Sequence, residues 1–185
     1  MARTTTPVCD FGQPAPAFEL PGVDGRRHTP TSARGPNGLL VMFICNHCPF
    51  VKAVIDRIVR DARALQAEGV GCIAVMSNDP ADYPEDGWEH MVALAKRLDF
   101  PFPYVFDEDQ TVARAFGAVC TPDFFGYDRN LRLQYRGRLD ASGMQPAPAD
   151  ARRELFEAMQ QVARTGHGPE HQIPSIGCSI KWRNN

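Results

Sequence analysis

Leu39-Leu40-Val41-Met42-Phe43-Ile44 runs straight into Cys45-Asn46-His47-Cys48-Pro49, and that junction limits the fold more than any other stretch of the chain. Six apolar residues in a row, entered through Pro36-Asn37-Gly38, read as a strand buried on both faces. From Phe50 the period becomes helical. Phe50, Val51, Val54, Ile55, Ile58, Val59, Ala62 and Leu65 make one apolar stripe, with Lys52, Asp56, Arg57, Arg60 and Asp61 facing away. Pro49 suits only a first helical turn, so the two cysteines straddle the start of that helix. There, unpaired N–H groups and the helix dipole favour a thiolate. A Cys-x-x-Cys spacing alone is a weak signal; strand, pair and helix together point to redox chemistry.

The remaining elements fit one architecture. Val70–Met76 is a second apolar run entered through Gly69, which completes a strand–helix–strand crossover and implies a parallel pair. Upstream, Phe18-Glu19-Leu20 reads as a short strand before a turn at Asp24-Gly25. Trp88, Met91, Val92, Ala95 and Leu98 mark a second helix, Tyr104–Phe106 a short strand, and Gln110–Phe116 a short helix closed by Gly117. Residues 124–127 and 131–135 read as an antiparallel hairpin, and Ala149–Ala163 as a last helix with Leu155, Phe156, Met159 and Val162 inward. This order predicts a thioredoxin-like α/β fold, a central mixed sheet flanked by helices with an N-terminal extension and a docked C-terminal tail. A single domain is expected over 1–185, its core at about 12–165 and its tail at 166–185.

Charge narrows the partners. Twenty Lys plus Arg against 22 Asp plus Glu leave a net charge of −2 with no long run of either sign, so neither nucleic acid nor a membrane surface is expected as a partner. Met1–Pro7 lacks the apolar stretch of a secretion signal, which makes a cytoplasmic location the expectation. In that reducing compartment cysteines serve reactivity, metal binding or packing rather than structural bridges.

A dithiol exchanges electrons when one sulfur is an exposed thiolate and the other can attack the mixed disulfide that forms. Cys45, at the strand's end, is the expected nucleophile and Cys48 the resolving thiol. Lowering a thiol pKa by about two units makes thiolate the majority at neutral pH, for about 2.7 kcal/mol. A protonated His47 would add to the effect of the helix start. A zinc site would want a second paired ligand set, and Cys120 and Cys178 are singletons, so no metal or other cofactor is assigned. Thr121-Pro122 opens the hairpin; in such a fold this proline is cis beside the dithiol and exposes the preceding backbone to a bound thiol or peptide strand. Cys120 is either a third exchange partner or a small buried residue. Cys178 is either a resolving thiol or packing, in an apolar tail anchored by Trp182. Cys72 belongs to the core, Cys9 carries no motif, and His28, His90, His167 and His171 show no partner spacing.

Several separated stretches resemble one family. Gly12–Leu20, Asn46-His47-Cys48-Pro49-Phe50, Ser77-Asn78-Asp79 with Tyr83-Pro84-Glu85-Asp86, Cys120–Phe125 and the tail Pro174–Trp182 are similar to peroxiredoxin-like (redoxin) proteins. These belong to the superfamily of alkyl hydroperoxide reductase and thiol-specific antioxidant proteins. The resemblance implies an antioxidant oxidoreductase with a redox-active disulfide. Its partners would be protein or small-molecule disulfides, or hydroperoxides, and a cellular dithiol reductant. Asn46-His47 also matches the C-x-H-C of strongly oxidising bacterial disulfide-forming proteins, which implies a pair more oxidising than thioredoxin. Two departures count against peroxide chemistry. Peroxiredoxins carry Thr-x-x-Cys-Pro, and here Cys45 replaces the Thr; their supporting Arg falls near Thr121-Pro122, leaving only Arg136 or Arg138 to reach inward. Thiol–disulfide exchange is therefore the leading expectation. A thiol peroxidase with Cys48 attacking and Cys45, Cys120 or Cys178 resolving is the alternative, and a metal-binding protein using Cys45, Cys48 and His47 the second.

Overall fold

The computed structural model describes residues 3–7 and 11–183; Cys9 lies outside them. In chain order the elements are β1 (Arg3–Thr5), β2 (Leu20–Pro21), β3 (Arg27–His28), α1 (Pro30–Ala33), β4 (Gly38–Phe43), α2 (Pro49–Ala67), β5 (Val70–Met76) and α3 (Trp88–Arg97). They continue with β6 (Tyr104–Phe106), α4 (Thr111–Phe116), β7 (Cys120–Thr121), β8 (Asp123–Asp128), β9 (Leu133–Tyr135), α5 (Glu154–Thr165) and β10 (Ile176–Ser179).

The crossover β4–α2–β5 forms the centre. β5 pairs in parallel with β6, β4 pairs antiparallel with β8, and β8 with β9. β4 and β5 lie side by side where the Ile44 N–H donates to the Val75 carbonyl at 3.1 Å. This mixed sheet with helices on both faces is the thioredoxin-like arrangement. Alternation along the strands explains their unbroken apolar runs. Leu40, Met42, Cys72 and Ala74 pack with Ile58 and Leu65 of α2 and Leu155 and Met159 of α5. Leu39, Val41, Phe43, Ile73 and Val75 pack with Val112 and Phe116 of α4. Gly126 in β8 lets α5 approach: a Cβ there would lie 2.1 Å from the Met159 sulfur.

Three expectations need correction. The short strand expected at Phe18–Leu20 is instead Leu20–Pro21, paired with Arg27–His28 across the turn at Asp24-Gly25, while Phe18 is a core residue against Phe116. The last helix begins at Glu154 rather than Ala149. Residues 148–151 form a turn in which Ala151 N–H donates to the Pro148 carbonyl, and the first helical carbonyl is that of Arg153. Trp182 does not anchor the tail; it is 36% exposed and lies on Arg114, whose guanidinium is 4.3 Å from the ring centroid. The anchors are Cys178 and Ile180, both buried. β10 runs antiparallel between β1 and β7, pairing Cys178 with Arg3 on one side and with Thr121 on the other.

Candidate redox centre

Cys45 lies just past the end of β4, and Cys48 is the N-cap of α2, with Pro49 in the first helical position. Thr121 ties both sulfurs to β7. Its hydroxyl is 3.3 Å from the Cys45 sulfur, and its carbonyl accepts from the Cys48 thiol at 3.2 Å. The Thr121–Pro122 peptide is cis. Strand end, helix start and cis-proline turn thus converge on one pair of thiols.

Asp86, fully buried at the end of the loop after β5, organises the Cys-x-x-Cys segment from outside it. One carboxylate oxygen accepts from the backbone N–H groups of Asn46 and His47 at 2.8 and 3.0 Å. The other meets His47 Nδ1 at 2.5 Å and accepts from the Asn78 amide at 2.9 Å. Burial works against the charge on Asp86, but the bonds from His47 and Asn78 outweigh it and hold its carboxyl below the ordinary range. Asn46 is fixed by the Tyr104 hydroxyl, which donates to Asn46 Oδ1 at 3.0 Å. Tyr83 stacks on the His47 ring, centroids 4.1 Å apart and planes 12° from parallel. His47 is buried, and its Nδ1 lies 3.8 Å from the Cys45 sulfur.

The two thiols are driven apart electrostatically. Cys48 is lowered to about 5, chiefly because the Cys45 thiol donates to its sulfur, helped by the thiol of Cys178, the free Val51 N–H and Thr121. Cys45 is raised well above its ordinary value by burial, by its bond to Cys48 and by the Asp86 charge. The sequence pattern makes Cys45 the expected nucleophile; here the helix N-terminus serves Cys48, while burial and a buried carboxylate oppose ionisation of Cys45. A second expectation also fails. Neither sulfur is open to solvent, both residues being 0% exposed, with Cys178 of the tail strand in the same cluster and His47, on which Tyr83 stacks, beside Cys45.

Of the other cysteines, Cys178 belongs to the same buried cluster as Cys45 and Cys48. Cys120 is buried in β7 and directs its thiol to the Pro122 carbonyl at 3.6 Å; burial and the nearby Asp123 push that thiol up. Cys72 is a core residue, its thiol pushed by burial to about 12. Arg136 and Arg138 are held elsewhere. Arg136 donates to the buried Asp123 at 3.1 Å and lies over Phe125, and Arg138 pairs with Glu154 at 2.7 Å. Among the described residues, Cys45, His47 and Asp86 form the one trio whose ligand atoms lie mutually within 4.8 Å. The expectation of no metal ligands must accommodate that trio. No helix among the described residues is long and apolar enough to cross a membrane.

Asp86, Asn78, Tyr83 and Tyr104 carried no assigned role in the sequence reading. Asn78, Tyr83 and Asp86 lie in the stretches that carry the family resemblance, at the carboxyl end of a buried strand where open α/β sheets place their sites; Tyr104 carried no signal of its own.

Known proteins share this frame. An uncharacterised conserved protein from Geobacillus kaustophilus is 41% identical, with a TM-score of 0.91 over 100% of this chain and 98% of its own. A hypothetical protein from Sinorhizobium meliloti is 35% identical, with a TM-score of 0.89 over 98% and 100%. The thiol-disulfide oxidoreductase ResA of Geobacillus thermodenitrificans is 28% identical over 123 residues, and the match spans 66% of each protein. Residues 11–136 match the model of the AhpC/TSA family, a stretch that includes the dithiol, Asp86 and the cis-proline turn. The chain belongs to the AhpC/TSA family, as an oxidoreductase working through thiols on a thioredoxin-like frame.

Proposed function

We propose that this protein is a thiol–disulfide oxidoreductase whose working couple is Cys45–Cys48. The observation that carries the reading is the convergence of both sulfurs on Thr121 at the start of α2, with Cys48 at the helix N-cap and Cys45 within 3.3 Å of the Thr121 hydroxyl. Cys48 attacks one sulfur of a substrate disulfide; an S–S bond forms to the enzyme and the substrate's other sulfur leaves as a thiolate. Cys45 then gives up its proton and attacks the Cys48 sulfur, closing the Cys45–Cys48 bridge and releasing the second substrate thiolate. That proton goes to the departing substrate thiolate, while His47, whose Nδ1 donates to Asp86 and lies 3.8 Å from the Cys45 sulfur, positions that sulfur. Two electrons pass from dithiol to substrate, and a cellular dithiol restores the enzyme. Substrates are protein or small-molecule disulfides, admitted when the cover over the sulfurs opens locally.

A stabilised thiolate favours the reduced form, so the pair is more oxidising than thioredoxin, with a potential above about −270 mV. Reduction of insulin disulfides tests the assignment. Cys48→Ser abolishes it, and Cys45→Ser sharply lowers it; full activity in either variant overturns the reading.

One observation favours a second reading. A low-pKa thiol directly before Pro49 is what peroxide attack requires, and oxidation of Cys48 to a sulfenic acid that condenses with a neighbouring thiol would be peroxidase chemistry. Rapid hydroperoxide consumption that survives Cys45→Ser selects it.

A further inference from the structure

The tail strand places a third sulfur on the dithiol. β10 lies antiparallel against β7, and the residue opposite Thr121 is Cys178. Thr121 is also the residue that contacts Cys45 through its hydroxyl and Cys48 through its carbonyl. A Cβ on Gly177 would lie 2.1 Å from the Thr121 carbonyl oxygen, so only glycine lets the two strands meet this closely. The tail is fastened on either side of this point: the Ser175 hydroxyl donates to the Pro122 carbonyl at 2.8 Å, and the Ile180 N–H to the Val119 carbonyl at 3.1 Å. This occupies the backbone edge beside the cis proline to which an incoming peptide strand would add.

Cys178 shares the start of α2 with Cys48. Cys178 sits in the same buried cluster as Cys48, close enough for its thiol to influence the Cys48 charge, and the free N–H of Phe50 serves Cys178 as that of Val51 serves Cys48. Burial and then the Cys48 thiolate push the Cys178 thiol up to about 12, opposed by Lys181. Once Cys48 is in a disulfide its negative charge is gone, and one of the two leading obstacles to ionisation of Cys178 goes with it.

We propose that Cys178 is a third exchanging thiol, which moves the disulfide from Cys45–Cys48 to Cys48–Cys178. The step extends the function proposed above and rests on it. The Cys178 sulfur, as thiolate, attacks the Cys48 sulfur; the Cys48–Cys178 bond forms and the Cys45–Cys48 bond breaks. Cys45 leaves as the thiolate and takes up the proton that Cys178 lost. One S–S bond is exchanged for another, with no net oxidation. The exchange returns Cys45 to the thiol form that its surroundings favour and fastens β10 covalently over the site.

The test oxidises the whole protein with glutathione disulfide, quenches with acid, and maps disulfides by mass spectrometry in wild type, Cys45→Ser and Cys178→Ser. In Cys45→Ser the dominant product is a Cys48–Cys178 bridge; in Cys178→Ser it is Cys45–Cys48; wild type contains both. If Cys45→Ser stops at a glutathione adduct on Cys48, or bridges Cys48 to Cys120 instead, the third-thiol role is overturned while a Cys45–Cys48 bridge in Cys178→Ser keeps the dithiol reading. If neither wild type nor Cys178→Ser forms Cys45–Cys48, the dithiol reading itself falls. Should Cys45→Ser fail to fold, wild type decides: a Cys48–Cys178 peptide at least tenfold above any bridge to the core residue Cys72 supports the role, and parity with Cys72 overturns it.

Discussion

Asp86 holds His47 at two points, accepting from its backbone N–H at 3.0 Å and meeting its Nδ1 at 2.5 Å, so a carboxylate from the loop after β5 sets both the path and the ring of a residue in the Cys-x-x-Cys segment. Asp86→Ala removes a fully buried charge and strands four polar partners: two backbone amides, an imidazole and the Asn78 side chain. Breaking one side of such a buried arrangement costs about 3 kcal/mol, read by urea unfolding of the reduced protein. Asp86→Asn keeps the shape without the charge and should bring the Cys45 thiol down toward its ordinary value. A Cys45 titration that does not move would remove Asp86 from the electrostatics of the pair.

The ionisation of Cys48 predicts a pH profile. Its thiolate forms as pH rises through about 5, so alkylation of Cys48, followed by mass mapping, should be half-maximal there and flat from pH 7 upward. The absolute rate is slow because the sulfur is covered; the midpoint is what tests the assignment. Cys45 should stay unreactive over the same range, since burial and Asp86 keep it protonated. A profile rising only near pH 8 to 9 would mean that the thiols of Cys45 and Cys178 do not stabilise the Cys48 charge.

Cover over the sulfurs can be tested separately from their chemistry. Tyr83→Ala deletes the ring stacked on His47, an interaction worth about 1 kcal/mol. Stability should fall by that amount while thiol modification at neutral pH speeds up roughly in proportion, about fivefold, if opening at this loop limits access. An unchanged rate would place the opening at the tail strand.

Asp123 and Arg136 give a pH dependence of stability whose sign is definite. Burial raises the Asp123 carboxyl to about 6, against about 3.9 in an unfolded chain, with Arg136 opposing the rise. The folded form therefore binds this proton more tightly than the unfolded form, and the site's contribution declines as pH rises from about 4 through 6. Arg136→Met leaves the carboxylate without its cation. The loss should be about 3 kcal/mol at pH 8 and clearly smaller at pH 5, where Asp123 is protonated. Equal losses at the two pH values would show that Arg136 acts through packing on Phe125 rather than through charge.

The central crossover and the thiol pair were legible because both rest on local pattern. An apolar run followed by a helical stripe dictates β4 and α2, and Pro49 sets where the helix begins. What escaped the sequence depends on residues far away in the chain. The surroundings of the two thiols depend on Asp86, which sits in a Pro-containing loop without periodicity, and on Cys178, brought in by strand pairing. Trp182 looked like the tail's anchor because it is large. Strand alternation inserts Cys178 and Ile180 instead and leaves the indole to Arg114 at the surface. The start of α5 was misplaced because Ala149, Asp150 and Ala151 suit a helix, whereas the turn that follows Pro148 claims their backbone first.

The pairing of β10 with β7 also has a consequence during synthesis. Cys178 follows Cys48 by 130 positions, so a growing chain presents Cys45 and Cys48 without β10 until that whole intervening stretch has been made. Through that interval the strand that brings Cys178 against Thr121 is missing, and the pairing of β10 with β7 completes the surroundings of the two sulfurs.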